Sequence, residues 1–220
     1  MTKIITGHYG SGKTEFCVNL ASEVAKGSNK VTIADLDVVN PYFRSREAAL
    51  KLASLGVDLA SDHFGGNSGQ DLPATSFAFL SNVKAGEQVI IDLAGGKIGT
   101  RLLAACLDAL NSAQYEFLCV LNLYRPETST ASKMIDFIQQ INSEANLKIT
   151  GLINNGHMLH DTTSEHILAS QEAVLQVSEK LNLPIRYTQL RKDLYEEIGN
   201  KIKSENIIIF EKLQMRESWQ

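Results

Sequence analysis

Apolar residues in this chain fall into two alternating kinds of segment. Short continuous runs, many of them β-branched, occupy residues 3–6, 31–36, 57–60, 88–93, 116–122, 148–153 and 184–188. Runs that are apolar on both faces suit buried parallel strands, because a half-exposed antiparallel strand alternates apolar with polar. Between them the spacing turns helical. Cys17, Leu20, Ala21 and Val24 stand at i, i+3, i+4 and i+7; Met134, Ile135, Ile138 and Ile141 mark another apolar stripe, and Ile167, Leu168, Val174, Leu175 and Leu181 a longer one. Strand–helix alternation predicts right-handed βαβ units. The expected fold class is α/β: a doubly wound, mostly parallel sheet of about seven strands with helices on both faces. No linker, repeat or low-complexity tract interrupts the pattern. The break Gly65-Gly66-Asn67-Ser68-Gly69 reads as a loop inside a domain, so residues 1–220 are expected to form one domain.

The segment between the first strand run and the first helix carries the clearest chemistry. Gly7-His8-Tyr9-Gly10-Ser11-Gly12-Lys13-Thr14 matches G-x-x-x-x-G-K-[ST] in full, directly after a strand and at the start of a helix. Gly7, Gly10 and Gly12 let the backbone curl so that N–H groups of the loop, Ser11 included, point at phosphate oxygens. The helix start, with Glu15 in its first turn, adds the positive end of its dipole. Lys13 is placed to reach the β- and γ-phosphates and Thr14 to ligate Mg²⁺. Two more strand runs end in acids. Val89-Ile90-Ile91-Asp92 puts Asp92 at a carboxyl end beside the phosphates, and Gly95 and Gly96 after it let backbone N–H groups approach the γ-phosphate. Asp35 and Asp37 are spaced by two, on one face of a strand, where they can support Mg²⁺ or position an attacking water. The expected metal set is therefore Thr14, Asp35, Asp37 and Asp92, with Lys13, Asp37 and Asp92 carrying the catalysis.

On the loop 7–14, the strand end Asp35-Leu36-Asp37 and the segment 89–96, the sequence resembles the MinD/ParA-type branch of P-loop proteins, also described as the CobQ/CobB/MinD/ParA nucleotide-binding domain. The specific motifs cover some twenty positions within an architecture spanning about residues 1–190. The resemblance implies a slow ATPase that often dimerises around nucleotide, with Asp37 supporting attack on the γ-phosphate and Asp92 as the outer acid of the Mg²⁺ site. One position departs from it. The family's K-G-G-x-G-K-[ST] loop has a lysine near its start, where this chain has His8. The resemblance also extends to a short membrane-targeting helix at the C-terminus. Residues 207–215 have few basic residues for such a role, so a helix packed on the sheet is expected there.

For the base, Gly151-Leu152-Ile153-Asn154-Asn155-Gly156-His157 stands where guanine readers carry N-K-x-D and has no such Asp. A side-chain amide both donates and accepts, so Asn154 and Asn155 are assigned to adenine, and ATP is favoured over GTP. Thr188-Gln189-Leu190-Arg191, read as the loop after the last strand, is a second wall of that pocket. Lys97, Arg101 and Arg125 are surface cations that could contact phosphate or a partner's acid. Loops 40–46 and 65–73 are candidate contact surfaces. They also leave open a small-molecule kinase or an ATP-dependent ligase, and the altered loop leaves open a nucleotide-binding regulator with negligible hydrolysis.

Composition narrows the classes further. The chain's 21 Lys+Arg against 25 Asp+Glu give a net charge of −4, without the basic excess of a protein that grips nucleic acid electrostatically. Its 44% hydrophobic content excludes intrinsic disorder. No run reaches the roughly 18 apolar residues of a bilayer span, and residues 1–7 do not form a secretory signal, so a cytoplasmic protein is expected. Cys17, Cys106 and Cys119 are widely spaced within apolar segments and read as buried hydrophobes rather than a disulfide framework. His157, His160 and His166 lack the partners of a metal set. The expected reading is an Mg²⁺-dependent ATP switch acting on an unidentified protein partner, with a possible homodimer.

Overall fold

The computed structural model of the chain describes residues 1–27, 30–36, 52–60 and 79–214. Their backbone is organised by one all-parallel sheet of eight strands: β1 (Thr2–Gly7), β2 (Val31–Leu36), β3 (Val57–Ala60), β4 (Gln88–Leu93), β5 (Tyr115–Leu121), β6 (Gly151–Asn154), β7 (Ile185–Arg191) and β8 (Asn206–Phe210). The spatial order is β3-β2-β4-β1-β5-β6-β7-β8. The helices whose full range lies among the described residues are α1 (Lys13–Lys26), α2 (Leu80–Lys84), α3 (Gly96–Ala104), α4 (Leu107–Asn111), α5 (Ala131–Glu144), α6 (Ser164–Leu181) and α7 (Lys192–Ile198).

Because successive side chains of a strand point to opposite faces, each central strand feeds two cores. On one face Ile5, Ile90, Leu118, Val120 and Ile153 pack with Phe16, Cys17, Leu20 and Ala21 of α1. On the other, Ile4, Ile91, Phe117, Cys119 and Leu152 pack with Leu103 of α3, Leu110 of α4, Ile138 of α5 and Val174 of α6. Both α5 and α6 start on side-chain caps, at Thr130 and Thr163.

Two expectations about the C-terminal third are corrected. The segment expected to be a helix supplies strand β8, which pairs parallel to β7 from Tyr187↔Asn206 to Arg191↔Phe210. Its run of three β-branched isoleucines, Ile207-Ile208-Ile209, continues into the aromatic Phe210, which suits a sheet edge better than a helical stripe. The residues Thr188 to Arg191, expected as a loop, consequently lie within β7. No helix among the described residues is long and apolar enough to cross a membrane.

The connectivity also fixes where a ligand fits. From β1 the chain first builds β2, β3 and β4 on one side, then β5 to β8 on the other. The crossovers therefore diverge at the carboxyl end of β1, the topological switch point where open parallel sheets bind ligands.

Candidate functional site

The segment at that switch point is the turn from β1 into α1. The Ser11 N–H donates to the His8 carbonyl at 3.1 Å, closing a tight loop. Gly12 enters the helix at φ 87°, a left-handed conformation that L side chains rarely adopt, and its α-carbon sits against Asn155 so closely that a Cβ would lie 2.3 Å from Asn155 Nδ2. No side chain caps α1 at Gly12, and the start of a helix without such a cap is a place where an anion can be bound. Lys13 begins the helix and is buried, as is Ser11, whose Oγ has no hydrogen-bond partner among the described residues.

The two acids arrive on β2 and β4. Asp35 and Asp92 are register partners on adjacent parallel strands. Their neighbours Ala34, Leu36, Ile91 and Leu93 belong to the core on the far face, so both acids face α1. There Thr14 Oγ1 donates to Asp92 Oδ2 at 2.6 Å. Cys17, one turn along α1, lies in the same neighbourhood: burial raises its pKa well above the ordinary value, and Asp92 and Asp35 push it further up while Lys13 opposes them. Lys13, Thr14, Asp35 and Asp92 are thus brought together from three elements. Asp37 lies outside the described residues, as do the loops at 40–46 and 65–73 and the side chain of Lys97. Gly95 brings the tail of β4 against the loop, since a Cβ there would lie 2.5 Å from the Gly7 carbonyl oxygen. Gly96 follows as the first residue of α3.

The turns after β5 and β6 hold the other side of the loop. Asn155 is 2% exposed and its Nδ2 donates to the Ser11 carbonyl at 2.8 Å. Asn154 is 1% exposed; its Oδ1 accepts from Ser170 Oγ at 2.7 Å and from the Gly156 N–H at 3.3 Å. The structure places these two amides beneath the phosphate loop and against α6, bonded to the protein's own groups. Arg125 reaches across from the turn after β5, its Nε donating to the Gly10 carbonyl at 2.7 Å. Arg101 is exposed on α3. Glu15 accepts from Asn19 Nδ2 at 3.1 Å and from the Gln214 backbone N–H at 2.8 Å, tying the end of the described chain to the first turn of α1.

One organiser of this region went unread in the sequence. Asn122 is fully buried at the end of β5; its Nδ2 donates to the His157 carbonyl, and its Oδ1 accepts from the N–H groups of Tyr124 and His157. The signal available was a polar residue closing an otherwise apolar strand run. His166 belongs to the capping box of α6 and stacks edge-on against Tyr124. No cluster of three or more His, Cys, Asp or Glu side chains among the described residues is arranged to hold a metal by itself.

No family model matches the chain, and no curated protein matches it. Solved structures do share its fold. FtsY from Thermotoga maritima superposes with a TM-score of 0.58 at 21% identity, covering 86% of this chain and 61% of that one. FtsY from Mycoplasma mycoides gives 0.54 at 24% identity, covering 84% and 58%. The signal recognition particle receptor FtsY from Elizabethkingia anophelis, solved in complex with GDP, gives 0.55 at 19%, covering 86% and 56%. The chain thus spans about three fifths of the length of these structures, and the likeness is one of fold: an α/β P-loop NTPase architecture.

These neighbours correct the resemblance drawn from the sequence. They are FtsY proteins, a P-loop family different from the MinD/ParA branch. The cause of the misassignment is physical. A phosphate loop and acid-ending strands are what any triphosphate site on this sheet requires, so some twenty such positions do not separate one branch from another. Position 8, which departs from the MinD/ParA pattern, was the residue that spoke against it.

Proposed function

We propose that this protein binds a nucleoside triphosphate with Mg²⁺ at the turn from β1 into α1, hydrolyses it slowly, and so switches a surface read by a partner protein. The observation that carries this reading is the Thr14–Asp92 hydrogen bond at the uncapped start of α1. It joins the hydroxyl of the G-K-T motif to an acid on the neighbouring strand, directly beside an anion-binding helix end.

The donor set fits a hard cation. A Thr hydroxyl and the carboxylates of Asp35 and Asp92 are oxygen donors of the kind Mg²⁺ takes, and their small number leaves room for phosphate and water oxygens. Bound with the triphosphate, Mg²⁺ would neutralise charge on the phosphate oxygens. The chain's own groups do the rest. Lys13 and the backbone N–H groups of Gly10, Gly12, Lys13 and Thr14 hold the phosphates, with the Ser11 hydroxyl as a further donor. Gly95 and Gly96 bring the β4 tail to the γ-phosphate end of the loop, where its release can be felt. Asp37 keeps the role its sequence position gives it, orienting the attacking water.

The base is argued from both sides. The missing N-K-x-D aspartate supports adenine, which keeps ATP as the favoured substrate. Asn154 and Asn155, however, are bonded inside the protein, and a neighbour of the same fold holds GDP, which supports testing GTP on equal terms. The experiment is phosphate release by the purified chain with Mg²⁺ and either ATP or GTP, beside Lys13→Ala. One triphosphate is expected to turn over, with a loss of at least about 100-fold in the variant and an unchanged melting temperature. Absence of binding of either nucleotide at millimolar concentration would overturn the reading.

A further inference from the structure

Lys13 is the one lysine of the loop from Gly7 to Thr14, and a triphosphate in transfer spreads more negative charge over its oxygens than one ammonium balances. The two side chains at the loop's start do not add a fixed cation to it. His8 turns toward the next turn, with Nδ1 3.6 Å from Glu127 Oε2 and its ring edge-on to Phe137, and Tyr9 is exposed. A guanidinium does stand there. Arg125 donates its Nε–H to the Gly10 carbonyl at 2.7 Å. Its Nε, Cδ and Cζ lie within 3.4–3.7 Å of the position a Cβ on Gly10 would occupy, so the planar group lies over the loop. Among the described residues Arg125 makes no ion pair with a carboxylate, although acids outnumber bases in the chain.

The platform beneath it is rigid. Asn122 is buried and pins the turn to His157, and its Oδ1 accepts from the Tyr124 N–H. Thr128 Oγ1 donates to the Asn122 carbonyl at 2.6 Å, Tyr124 Oη donates to the His166 carbonyl at 2.8 Å, and Pro126 fixes the residue that follows Arg125. These bonds hold the turn that carries Arg125, and the side chain itself is set by its bond to Gly10, an arrangement that can preorganise a charge at a reacting group.

We propose that Arg125 is a built-in phosphate-reading arginine: anchored through Nε on the Gly10 carbonyl, its guanidinium supplies the second positive charge for the γ-phosphoryl group. The inference rests on the triphosphate reading given above and deepens it, naming the residue that distinguishes triphosphate from diphosphate. No bond to carbon forms or breaks at Arg125 and it exchanges no proton. Its Nη groups donate to phosphate oxygens whose charge grows as the bond to the leaving diphosphate breaks.

The test compares wild type, Arg125→Ala and Arg125→Lys. It measures affinity for non-hydrolysable ATP and GTP analogues, affinity for ADP and GDP, and turnover of ATP and GTP, with melting temperature as the control for folding. In Arg125→Ala, diphosphate affinity should stay within about 3-fold, the triphosphate analogue should weaken by at least about 10-fold, and kcat should fall by about 100-fold or more. Arg125→Lys keeps the charge without the fork and should recover part of both losses. Equal weakening of diphosphate and triphosphate, with kcat unchanged, would show that Arg125 only braces Gly10 and would overturn the proposal. A wild type that binds neither nucleotide fails before any variant is compared, and takes down the triphosphate reading together with this one.

Discussion

The two ends of the sheet handle charge in opposite ways. At the amino ends of the strands, Lys3 on β1 lies opposite Glu116 on β5, with Nζ 2.5 Å from Oε2. Arg186 on β7 pairs with the same carboxylate at 3.0 Å and with Glu205 beyond it. Burial alone would lower the pKa of Lys3, yet the hydrogen bond and charge of Glu116 leave it raised. Signs alternate along this chain of side chains, and the protein answers its own charges. At the carboxyl ends, Asp35 and Asp92 are register partners of the same sign on adjacent strands, an arrangement that costs stability in an ordinary sheet. The comparison sets the two ends apart: at the carboxyl ends two like charges share the neighbourhood of Lys13, where the proposed cation and phosphates would bind, and at the amino ends opposite charges pair across the strands.

The largest expected effect comes from breaking the carboxyl end with a single methyl group. Gly12→Ala forces a side chain into a left-handed backbone and into Asn155 Nδ2 at 2.3 Å. The loop must shift, so triphosphate affinity should fall by at least about 100-fold, with a stability loss of about 1–3 kcal/mol. Titration with a fluorescent nucleotide and chemical denaturation measure the two. Affinity within a few-fold of wild type would mean that the observed loop geometry is not what binds phosphate.

At the amino end the pattern should invert. Glu116→Gln removes the carboxylate that answers both Lys3 and Arg186 in a site where Glu116 is 8% exposed. The expected cost is about 1–3 kcal/mol in denaturant unfolding, with turnover per folded molecule unchanged. A variant that lost turnover at wild-type stability would erase the distinction between the two ends.

The same contrast decides what was legible in the sequence. Strand runs and the phosphate loop are local signals, and Thr14 and Asp92 followed from the motif because a P-loop needs an acid on a neighbouring strand. The contacts that shape the site join positions far apart in the chain: Arg125 to Gly10, Asn155 to Ser11, Asn122 to His157. Nothing in the residues 154 and 155 taken alone separates an amide that reads a base from one that braces a loop, since both chemistries use the same donor. The edge strand β8 was missed for a related reason. Only Ile208 of its residues is buried, so its apolar run looks alike as a strand or as a helix until the partner β7 is known.

The smallest expected effect tests the core that separates the two ends. Cys17, Cys106 and Cys119 are free and buried, as the sequence indicated. Burial pushes the Cys106 thiol up to about 11 and, with Lys13 pulling slightly the other way, Cys119 to about 12, from an ordinary 9.0. The folded state therefore keeps protons that the unfolded chain releases above pH 9. The contribution of each thiol is intact below pH 9 and is lost progressively as pH rises from there toward the folded value. Cys119→Ala removes one such group. Its stability at pH 8 should be lower than wild type through lost packing, but should fall less steeply between pH 9 and 10.5, by up to about 1.4 kcal/mol per pH unit. Parallel pH profiles would mean that Cys119 reaches solvent in the folded protein. A thiol reagent at pH 8 reads the same point independently, since all three cysteines should react only after unfolding.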